Sequence, residues 1–252
     1  MVDPTTRFTN RVENYAKYRP RYPGAIIPLL KAECGLTSES LIADIGSGTG
    51  FLSELFLKND NRVFGVEPNA EMRVAGEQIL ANYPKFKSLA GAAESTGLPD
   101  ASVDFVTVGQ AFHWFEQKAA RREFERILKP HGWVVIVWNG FQVEKNPVVA
   151  GYQQVLLRYG TDYRGVAREI ADTEVEKFFS PGNCKSARFE FQQYFDFEGY
   201  KGRVLSASFA PEPGQPNYEP LIEELREVFE ANEKDGKVEF DYDTEVYYGQ
   251  FG

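Results

Sequence analysis

The sequence predicts an α/β fold in which helices cover both faces of a mostly parallel sheet. Short apolar runs with strand character alternate with helix-like stretches through the first 140 residues. Alternation of this kind implies parallel strands joined by right-handed crossovers. Several runs are apolar on both faces, as in a central strand covered on each side. The predicted strands are Leu41–Ile45, Arg62–Val66, Phe86–Ala90, Val103–Val108 and Trp133–Trp138.

Three helix-like stretches lie between these strands. They are Thr49–Lys58, Ala70–Tyr83 and Lys118–Leu128. The second ends before Pro84, and the third precedes a Lys-Pro-His-Gly sequence that predicts a turn, so both have ordinary stop signals. We interpret His131, within that turn, as a turn residue.

After residue 138 the pattern changes. Helices are predicted at Asn146–Tyr159 and Val166–Phe179, split by Gly160 and Gly165. A period-two run containing Phe189 then predicts a sixth strand. A proline-rich loop and an amphipathic helix follow it.

The last patterned segment is Val238–Tyr248. Its even positions are mostly apolar and its odd positions, from Glu239 to Glu245, are acidic. This pattern predicts a strand with one wet face, as expected at the edge of a sheet. The acidic side chains have no second cluster nearby in sequence, so we expect no metal site.

Composition limits the possible functions. The 252-residue chain has 28 basic and 37 acidic residues, a net charge of -9, which disfavours binding to nucleic acid or anionic lipid. No run reaches the roughly 18 apolar residues of a membrane span. We read no secretory signal, and the two cysteines are too few for a disulfide framework. A cytoplasmic location is therefore expected.

The strongest chemical signal is the motif Asp44-x-Gly46-x-Gly48-x-Gly50 at the end of the first predicted strand. In open α/β sheets, ligands bind outside the carboxyl ends of the strands. Glycines let the backbone approach a ligand closely, and the helix that follows supplies free N–H groups. The alternative is a tight strand-to-helix turn that binds nothing.

The motif also narrows the choice of cofactor. A dinucleotide fingerprint would need glycine at position 51, where the chain has Phe51, and the lysine of a P-loop is absent. Glu67 ends the second predicted strand, where an acid can accept hydrogen bonds from both ribose hydroxyls. Adenosine with a free ribose is therefore favoured.

These residues resemble class I S-adenosylmethionine-dependent methyltransferases. Further likeness lies in Gly91-Ala92-Ala93-Glu94, in Leu98-Pro99 and in residues 108–114, which read VGQAFHW. The chain is most similar to the small-molecule, type 11 branch that includes trans-aconitate methyltransferase-like proteins. In that branch an arm of the form Tyr-x-x-Tyr-Arg-Pro-x-Tyr-Pro is usual, and residues 15–23 here read YAKYRPRYP.

The resemblance covers residues 8–140 well and continues more weakly to the end. It implies a Rossmann-like, doubly wound, seven-stranded mixed sheet, mostly parallel with an antiparallel C-terminal strand, plus a helical cap. Residues 1–30 would form an arm or lid, and 31–140 the cofactor-binding core. Residues 141–215, with the sixth strand, would cap the site and select the substrate, and 216–252 would add a helix and an edge strand.

The resemblance also implies roles in binding S-adenosylmethionine. Gly46, Ser47 and Gly48 would wrap its methionine part, with Asp44 ordering the loop, and Glu67 would take the ribose hydroxyls. The other implied contacts are made by an arm that closes over the cofactor, by the surface against the adenine and by a residue beside the reacting sulfonium. In that order, the residues are Tyr18 and Arg19; Pro68, Met72, Ala92, Ala93 and Glu94; and Gln110. Surface docking of the arm and a helix-core role for Met72 remain open alternatives.

The implied activity is methyl transfer to a small molecule, possibly a carboxylate. A carboxylate needs no base and could be held by Arg19 or Arg203, whereas a hydroxyl acceptor would make His113 the candidate base. An aromatic cluster that shapes the pocket is an equal alternative for His113. A non-catalytic S-adenosylmethionine-binding regulator and a methyltransferase acting on a macromolecule also stay open. We expect a small-molecule acceptor, no nucleic acid and no membrane partner, in a monomer or a dimer.

Overall fold

The computed structural model describes residue 14, residues 17–161 and residues 172–252. Its strands are β1 Leu41–Ile45, β2 Arg62–Val66, β3 Phe86–Leu89, β4 Val103–Gly109, β5 Leu128–Phe141, β6 Cys184–Phe195 and β7 Val238–Gly249. They form one sheet in the order β3-β2-β1-β4-β5-β7-β6. Strands β1 to β5 pair in parallel, whereas β7 is antiparallel to both of its neighbours. The mostly parallel sheet of seven strands with an antiparallel C-terminal strand is therefore confirmed.

The helices of the described residues are α1 Ile26–Cys34, α2 Phe51–Lys58, α3 Ala70–Ile79, α4 Gln117–Ile127, α5 Pro147–Tyr159, α6 Asp172–Phe179, α7 Phe197–Leu205 and α8 Tyr218–Asn232. A short 3-10 helix, Phe112–Trp114, follows β4. None of these helices is both long and apolar enough to cross a membrane.

Helices cover the sheet on both faces because alternate strand residues point to opposite sides. Ile42 of β1 joins an apolar cluster with α1 and α2, whereas the next residue, Ala43, joins one with α4 and α6. A third cluster packs α5, α7 and α8 against the first half of β7. The expected doubly wound arrangement follows from these two covered faces.

Three predicted helix starts differ by one or two residues from the structure. Helix α2 begins at Phe51 rather than Thr49, because Gly50 has a φ of 84°, which lies outside the helical region. Helix α4 begins one residue earlier than predicted, since the Glu116 carboxylate accepts hydrogen bonds from the first free N–H groups.

Helix α5 begins at Pro147 rather than Asn146, because Asn146 is its N-cap. Residues 166–171 of the helix predicted at Val166–Phe179 lie outside the described residues, and the described helix starts at Asp172.

The prediction that the last strand lies at the sheet edge is wrong. Strand β7 pairs with β5 on one side and along twelve residues with β6 on the other, so β6 is the edge. The strand does have one solvent-exposed face, because Glu239 is exposed while Phe240 is buried. One-sided burial reports which face of a strand is covered and carries no information about its neighbours.

The predicted turn before the fifth strand is part of β5 itself. Val103 pairs with Leu128 and Phe105 with Trp133, so the pairing register shifts across residues 129–132. His131 has a φ of 65° within this irregularity. Such a bulge places extra residues in one strand without ending it. His131 is therefore a bulge residue rather than a turn residue.

Candidate functional site

The sheet order reverses between β1 and β4, and this places a crevice at their carboxyl ends. Chains leaving the two strands turn toward opposite faces, so neither connection fills the space between them. Two adjoining cavities open there. The larger, about 220 Å³, is lined by Gly46, Gly48, Glu67, Pro68, Asn69, Met72, Ala92, Ala93, Glu94, Gly109, Gln110, Ala111, Trp114 and Phe115. The smaller, about 30 Å³, is lined by Arg19, Pro20, Tyr22, Asp44, Gly46, Ser47, Gly48, Thr49, Phe51, Leu52, Gly109, Gln110 and Asn139.

The glycine loop forms the wall that the two cavities share. Gly46 has a φ of 67°, and a Cβ there would lie 2.6 Å from the Cβ of Ala111. The loop is tied to the second strand because the N–H groups of Gly46 and Ser47 both donate to the carbonyl oxygen of Val66, at 2.8 and 3.1 Å. The Thr49 hydroxyl is buried beside the smaller cavity, and no described residue forms a hydrogen bond with it.

Asp44 lies beneath this loop with 0% of its surface exposed. Its carboxylate accepts hydrogen bonds from Ser53 Oγ at 2.6 Å and Thr107 Oγ1 at 3.2 Å. Burial raises the pKa of Asp44 to about 7, although the two hydroxyls oppose that shift. The side chain thus joins the end of β1 to α2 and β4, the elements on either side of the loop.

Glu67 connects the glycine loop to the second strand from the other side. Its two carboxylate oxygens accept hydrogen bonds from Gly48 N at 3.0 Å and Asn69 N at 2.9 Å. Burial raises its pKa, since only 9% of the residue is exposed. Asn69 in turn caps α3 by accepting from Met72 N, which brings the Met72 side chain into the cavity wall.

The far wall follows β3. Ala92 and Ser95 exchange two backbone hydrogen bonds, of 3.2 and 3.1 Å, which hold residues 92–94 in a tight loop. The Glu94 carboxylate accepts from Glu116 N at 2.7 Å and so attaches this loop to the start of α4. All three residues predicted here, Ala92, Ala93 and Glu94, line the larger cavity.

Gln110 lies where the cavities meet, and its backbone has a positive φ of 55°. Its side chain clasps the backbone of Asn139 in β5: Nε2 donates to the carbonyl oxygen at 3.1 Å, and Oε1 accepts from the amide at 3.0 Å. A left-handed backbone at a non-glycine residue is uncommon and tends to occur at functional positions. Asn139 was not foreseen, because nothing in its local sequence distinguishes it from the other residues of β5, which continues to Phe141.

The described part of the arm packs onto α7. Arg19 donates from Nε to Ser206 Oγ at 2.9 Å and from Nη2 to Ser206 O at 3.2 Å. The Tyr18 ring lies directly against Gly202. Arg19 and Tyr22 line the smaller cavity, whereas Tyr18 lines neither. Residues 1–13 and 15–16 of the predicted arm, including Tyr15, lie outside the described residues.

His113 lines neither cavity. Its ring packs against the rings of Trp114 and Trp138, with centroids 4.4 and 5.1 Å away. Its neighbour Trp114 forms part of the wall of the larger cavity. The role of His113 as a base stays a prediction.

Arg203 is buried to 1% exposure inside a ring of aromatic side chains. Its guanidinium donates to Tyr242 OH at 2.9 Å and to Tyr152 OH at 3.4 Å. The guanidinium carbon lies between 5.4 and 5.8 Å from the ring centroids of Phe141, Tyr152, Phe240 and Tyr242. No carboxylate among the described residues forms an ion pair with it. The aromatic residues come from three distant parts of the chain, so no sequence motif announces this arrangement.

Comparison with known proteins agrees with this geometry. Residues 43–136 match the family described as a methyltransferase domain. An uncharacterised methyltransferase-like protein of Schizosaccharomyces pombe is 28% identical over 225 residues, which cover 88% of this chain and 85% of that protein. The chain spans about half the length of several other curated methyltransferases that it matches. The ubiquinone/menaquinone biosynthesis C-methyltransferase of Rubrivivax gelatinosus is 36% identical over 92 residues, 36% of each chain.

A solved structure shares the fold along most of both chains. A putative type II methyltransferase from Anaeromyxobacter dehalogenans superposes with a TM-score of 0.65, 21% identity, and coverage of 93% of this chain and 98% of that one. The protein thus has the class I methyltransferase fold. Residues 43–136 match a methyltransferase domain and the named relatives are methyltransferases, so the comparisons support an S-adenosylmethionine-dependent methyltransferase.

Proposed function

We propose that the protein transfers the methyl group of S-adenosylmethionine to a carboxylate oxygen of a small molecule. The observation that carries the choice of acceptor is Arg203, whose buried positive charge has no carboxylate partner among the described residues. In a low-dielectric surrounding such a charge produces a strong positive potential nearby. Arg203 lines neither cavity, so it would act on the acceptor through this potential rather than by direct contact, and the potential favours an anionic acceptor over a neutral one.

The described residues fit the cofactor. The larger cavity would take the nucleoside, with the Glu67 carboxylate in reach of ribose hydroxyls once it releases the loop amides. On its β1 and α2 side the smaller cavity would take the amino-acid end, where the start of α2 and the Thr49 hydroxyl, which has no hydrogen-bond partner among the described residues, offer polar contacts. The side of this cavity formed by Gln110 and Asn139 would be left to the acceptor. Ser47 and Arg19 line the same space, and Pro68 and Met72 would flank the adenine. When bound, S-adenosylmethionine supplies a methyl group on a sulfonium that is already a good leaving group.

The chain's own contribution is orientation and exclusion of water. A carboxylate is ionised at pH 7, since its ordinary pKa is about 4, so no residue has to remove a proton. Holding two reactants in line can contribute on the order of 7–11 kcal/mol to lowering a barrier. The fixed loop, Gln110 and the arm that docks on Ser206 provide that alignment.

Three observations support a small acceptor. The candidate site consists of two adjoining, partly open cavities, the smaller of which is lined by Arg19 and Tyr22, rather than a flat surface. The relative from Rubrivivax gelatinosus is named as a ubiquinone/menaquinone biosynthesis C-methyltransferase, and that name supports a small-molecule acceptor for this chain. The net charge of -9 also disfavours a polyanionic acceptor.

Binding calorimetry tests the proposed cofactor, and methyl-transfer assays with a panel of small carboxylic acids test the proposed acceptor. The wild type should bind S-adenosylmethionine and S-adenosylhomocysteine but not NAD. The Gly48→Val variant should bind none of the three, since the valine side chain would enter both cavities. Methyl transfer should be detected with at least one small mono-, di- or tricarboxylic acid. Equal affinity of the two proteins would contradict the cofactor site. Binding without transfer to any acid, but with transfer to hydroxyl compounds, would contradict the carboxylate acceptor.

A further inference from the structure

A polar pair interrupts an otherwise apolar face of the sheet. On β5 this face carries Val135, Val137, Asn139 and Phe141, and on β7 the directly opposite residues are Tyr248, Val246, Thr244 and Tyr242. The valines belong to the cluster beneath α1 and α2, whereas Phe141 and Tyr242 belong to the cluster of α5, α7 and α8. Asn139 and Thr244 therefore form a polar seam between two hydrophobic clusters.

Asn139 is held rigidly but leaves one donor unused. Only 3% of the residue is exposed. Its side-chain oxygen accepts a hydrogen bond from Thr244 Oγ1 at 2.7 Å, and Gln110 clasps its backbone on both sides. Its side-chain nitrogen, Nδ2, is buried and meets no acceptor among the described residues. A buried amide donor without an acceptor is costly and rare in folded proteins.

The position of this donor indicates what it binds. Asn139 lines the smaller cavity beside Gln110, two residues before the end of β5. Phe141 follows on the same face about 7 Å further along the strand. The Arg203 guanidinium lies against the Phe141 ring, so the unused donor and the buried positive charge lie on the same face of the sheet. The glycine loop and Thr49, which would hold the cofactor's amino-acid end, belong to β1 and α2 instead.

We propose that Asn139 donates its side-chain N–H to an anionic oxygen of the methyl acceptor, and that Thr244 is the positioning residue that orients this amide. The inference rests on the proposed function and names the residue that recognises the acceptor. Acceptor binding would satisfy the buried donor, and the nearby guanidinium would favour a carboxylate there. Asn139 thus selects the acceptor and has no part in holding the cofactor.

The test compares substitutions at this pair with a matched substitution elsewhere. Asn139→Asp keeps an acceptor for Thr244 but removes the donor and adds a negative charge, whereas Thr244→Val removes only the orienting hydroxyl. Asn146→Asp is the control, because Asn146 is also buried yet its Nδ2 already donates to Glu239 O at 3.0 Å and to Asp241. Circular dichroism establishes that each variant folds.

Steady-state kinetics use the best acid of the panel, and calorimetry uses S-adenosylhomocysteine. We expect the KM for the acid to rise about 100-fold in Asn139→Asp and about tenfold in Thr244→Val, the range set by losing a hydrogen bond to a charged group. We expect kcat to change less than KM, and the affinity for S-adenosylhomocysteine to stay within about twofold. The control should keep the wild-type KM.

The outcomes separate this inference from the proposed function. Wild-type failure to bind S-adenosylhomocysteine would overturn the proposed function. An unchanged KM in Asn139→Asp, with the wild type methylating an acid, would overturn only the role of Asn139. A tenfold loss of S-adenosylhomocysteine affinity in Asn139→Asp would assign the donor to the cofactor and also overturn the inference.

If no acid is methylated, the Asn139 side-chain amide signal, assigned by its loss in Asn139→Asp, is followed by NMR. The same acids are added to the S-adenosylhomocysteine complex of the wild type. A shift on adding an acid supports the inference, and an unchanged signal with every acid overturns it.

Discussion

Two glycines with the same φ allow the close packing of the cofactor loop to be measured. Gly35, after α1, and Gly46 in the loop both have a φ of 67°. An added Cβ at Gly35 meets nothing within 4 Å, whereas at Gly46 it would lie 2.6 Å from the Cβ of Ala111 and 3.5 Å from Phe115 Cζ. Alanine at either position therefore has the cost of a positive φ, but only alanine at Gly46 adds a steric clash.

The expected cost follows from these distances. Forcing a left-handed conformation on alanine costs about 1–2 kcal/mol, so Gly35→Ala should lose that much free energy of unfolding. Carbon atoms in contact prefer a separation of about 3.5–4.0 Å, so Gly46 and Ala111 would have to separate by about 1 Å. Overpacking of this kind adds about 1–3 kcal/mol. Gly46→Ala should therefore lose about 2–5 kcal/mol in all.

The displacement should also reach the cofactor. Moving Gly46 away from Ala111 disturbs its hydrogen bond to Val66 O and the wall of both cavities. Urea unfolding followed by circular dichroism measures the stability, and calorimetry with S-adenosylhomocysteine measures binding. We expect Gly46→Ala to lose affinity at least about tenfold, and Gly35→Ala to bind as the wild type. Equal unfolding free energies for the two variants, or unimpaired binding by Gly46→Ala, would refute the packing argument.

Three further predictions concern charge, the arm and the base. The pKa of Asp44 is about 7 in the folded chain against an ordinary 3.8, so its contribution to stability is present below pH 4 and is lost as the pH rises through 7. Asp44→Asn should remove about 3 kcal/mol of pH dependence between pH 5 and pH 8, because each pH unit between 5 and 7 carries about 1.4 kcal/mol; urea unfolding at these two pH values measures it. Ser206→Ala removes the hydroxyl that accepts from Arg19 Nε, so hydrogen exchange at residues 17–24 should be faster than in the wild type and should be slowed less by S-adenosylhomocysteine. Unchanged exchange would make the arm contact incidental. His113→Gln should lower turnover of an acid by far less than the roughly 100- to 10,000-fold effect of a general base, and a pH–rate limb near 6.5 that disappears in the variant would contradict this.

The sequence predicted best those features that local patterns determine. Strands β1 and β2 have the predicted bounds, because each is a short apolar run bounded by polar or glycine residues. Of the predicted cofactor residues, all but Tyr18 line one of the two adjoining cavities, since parallel strands bring their carboxyl ends to one edge. The roles of these residues stay predictions.

The features that were missed depend on distant parts of the chain. Helix α7 was not predicted because Gly199 and Gly202 lower its helix propensity, although Asp196 caps it by accepting from Gly199 N at 2.8 Å. The importance of Asn139 depends on Thr244, which is 105 residues away. The place of β7 in the sheet depends on its partners, and no pattern within a strand identifies its neighbours.

The insertion of β7 between β5 and β6 has a consequence for biosynthesis. Strands β1 to β5 can pair as they leave the ribosome, but β6 has no neighbour in the sheet until β7 has been made. The backbone groups of residues 184–195 therefore stay unpaired until the strand that pairs with them, more than 40 residues later in the chain, has been synthesised. Long-range pairing of this kind is slow and leaves a strand edge exposed in the meantime. The nascent chain should therefore form its glycine loop before Thr244 and the rest of β7, on the proposed acceptor side, have been synthesised.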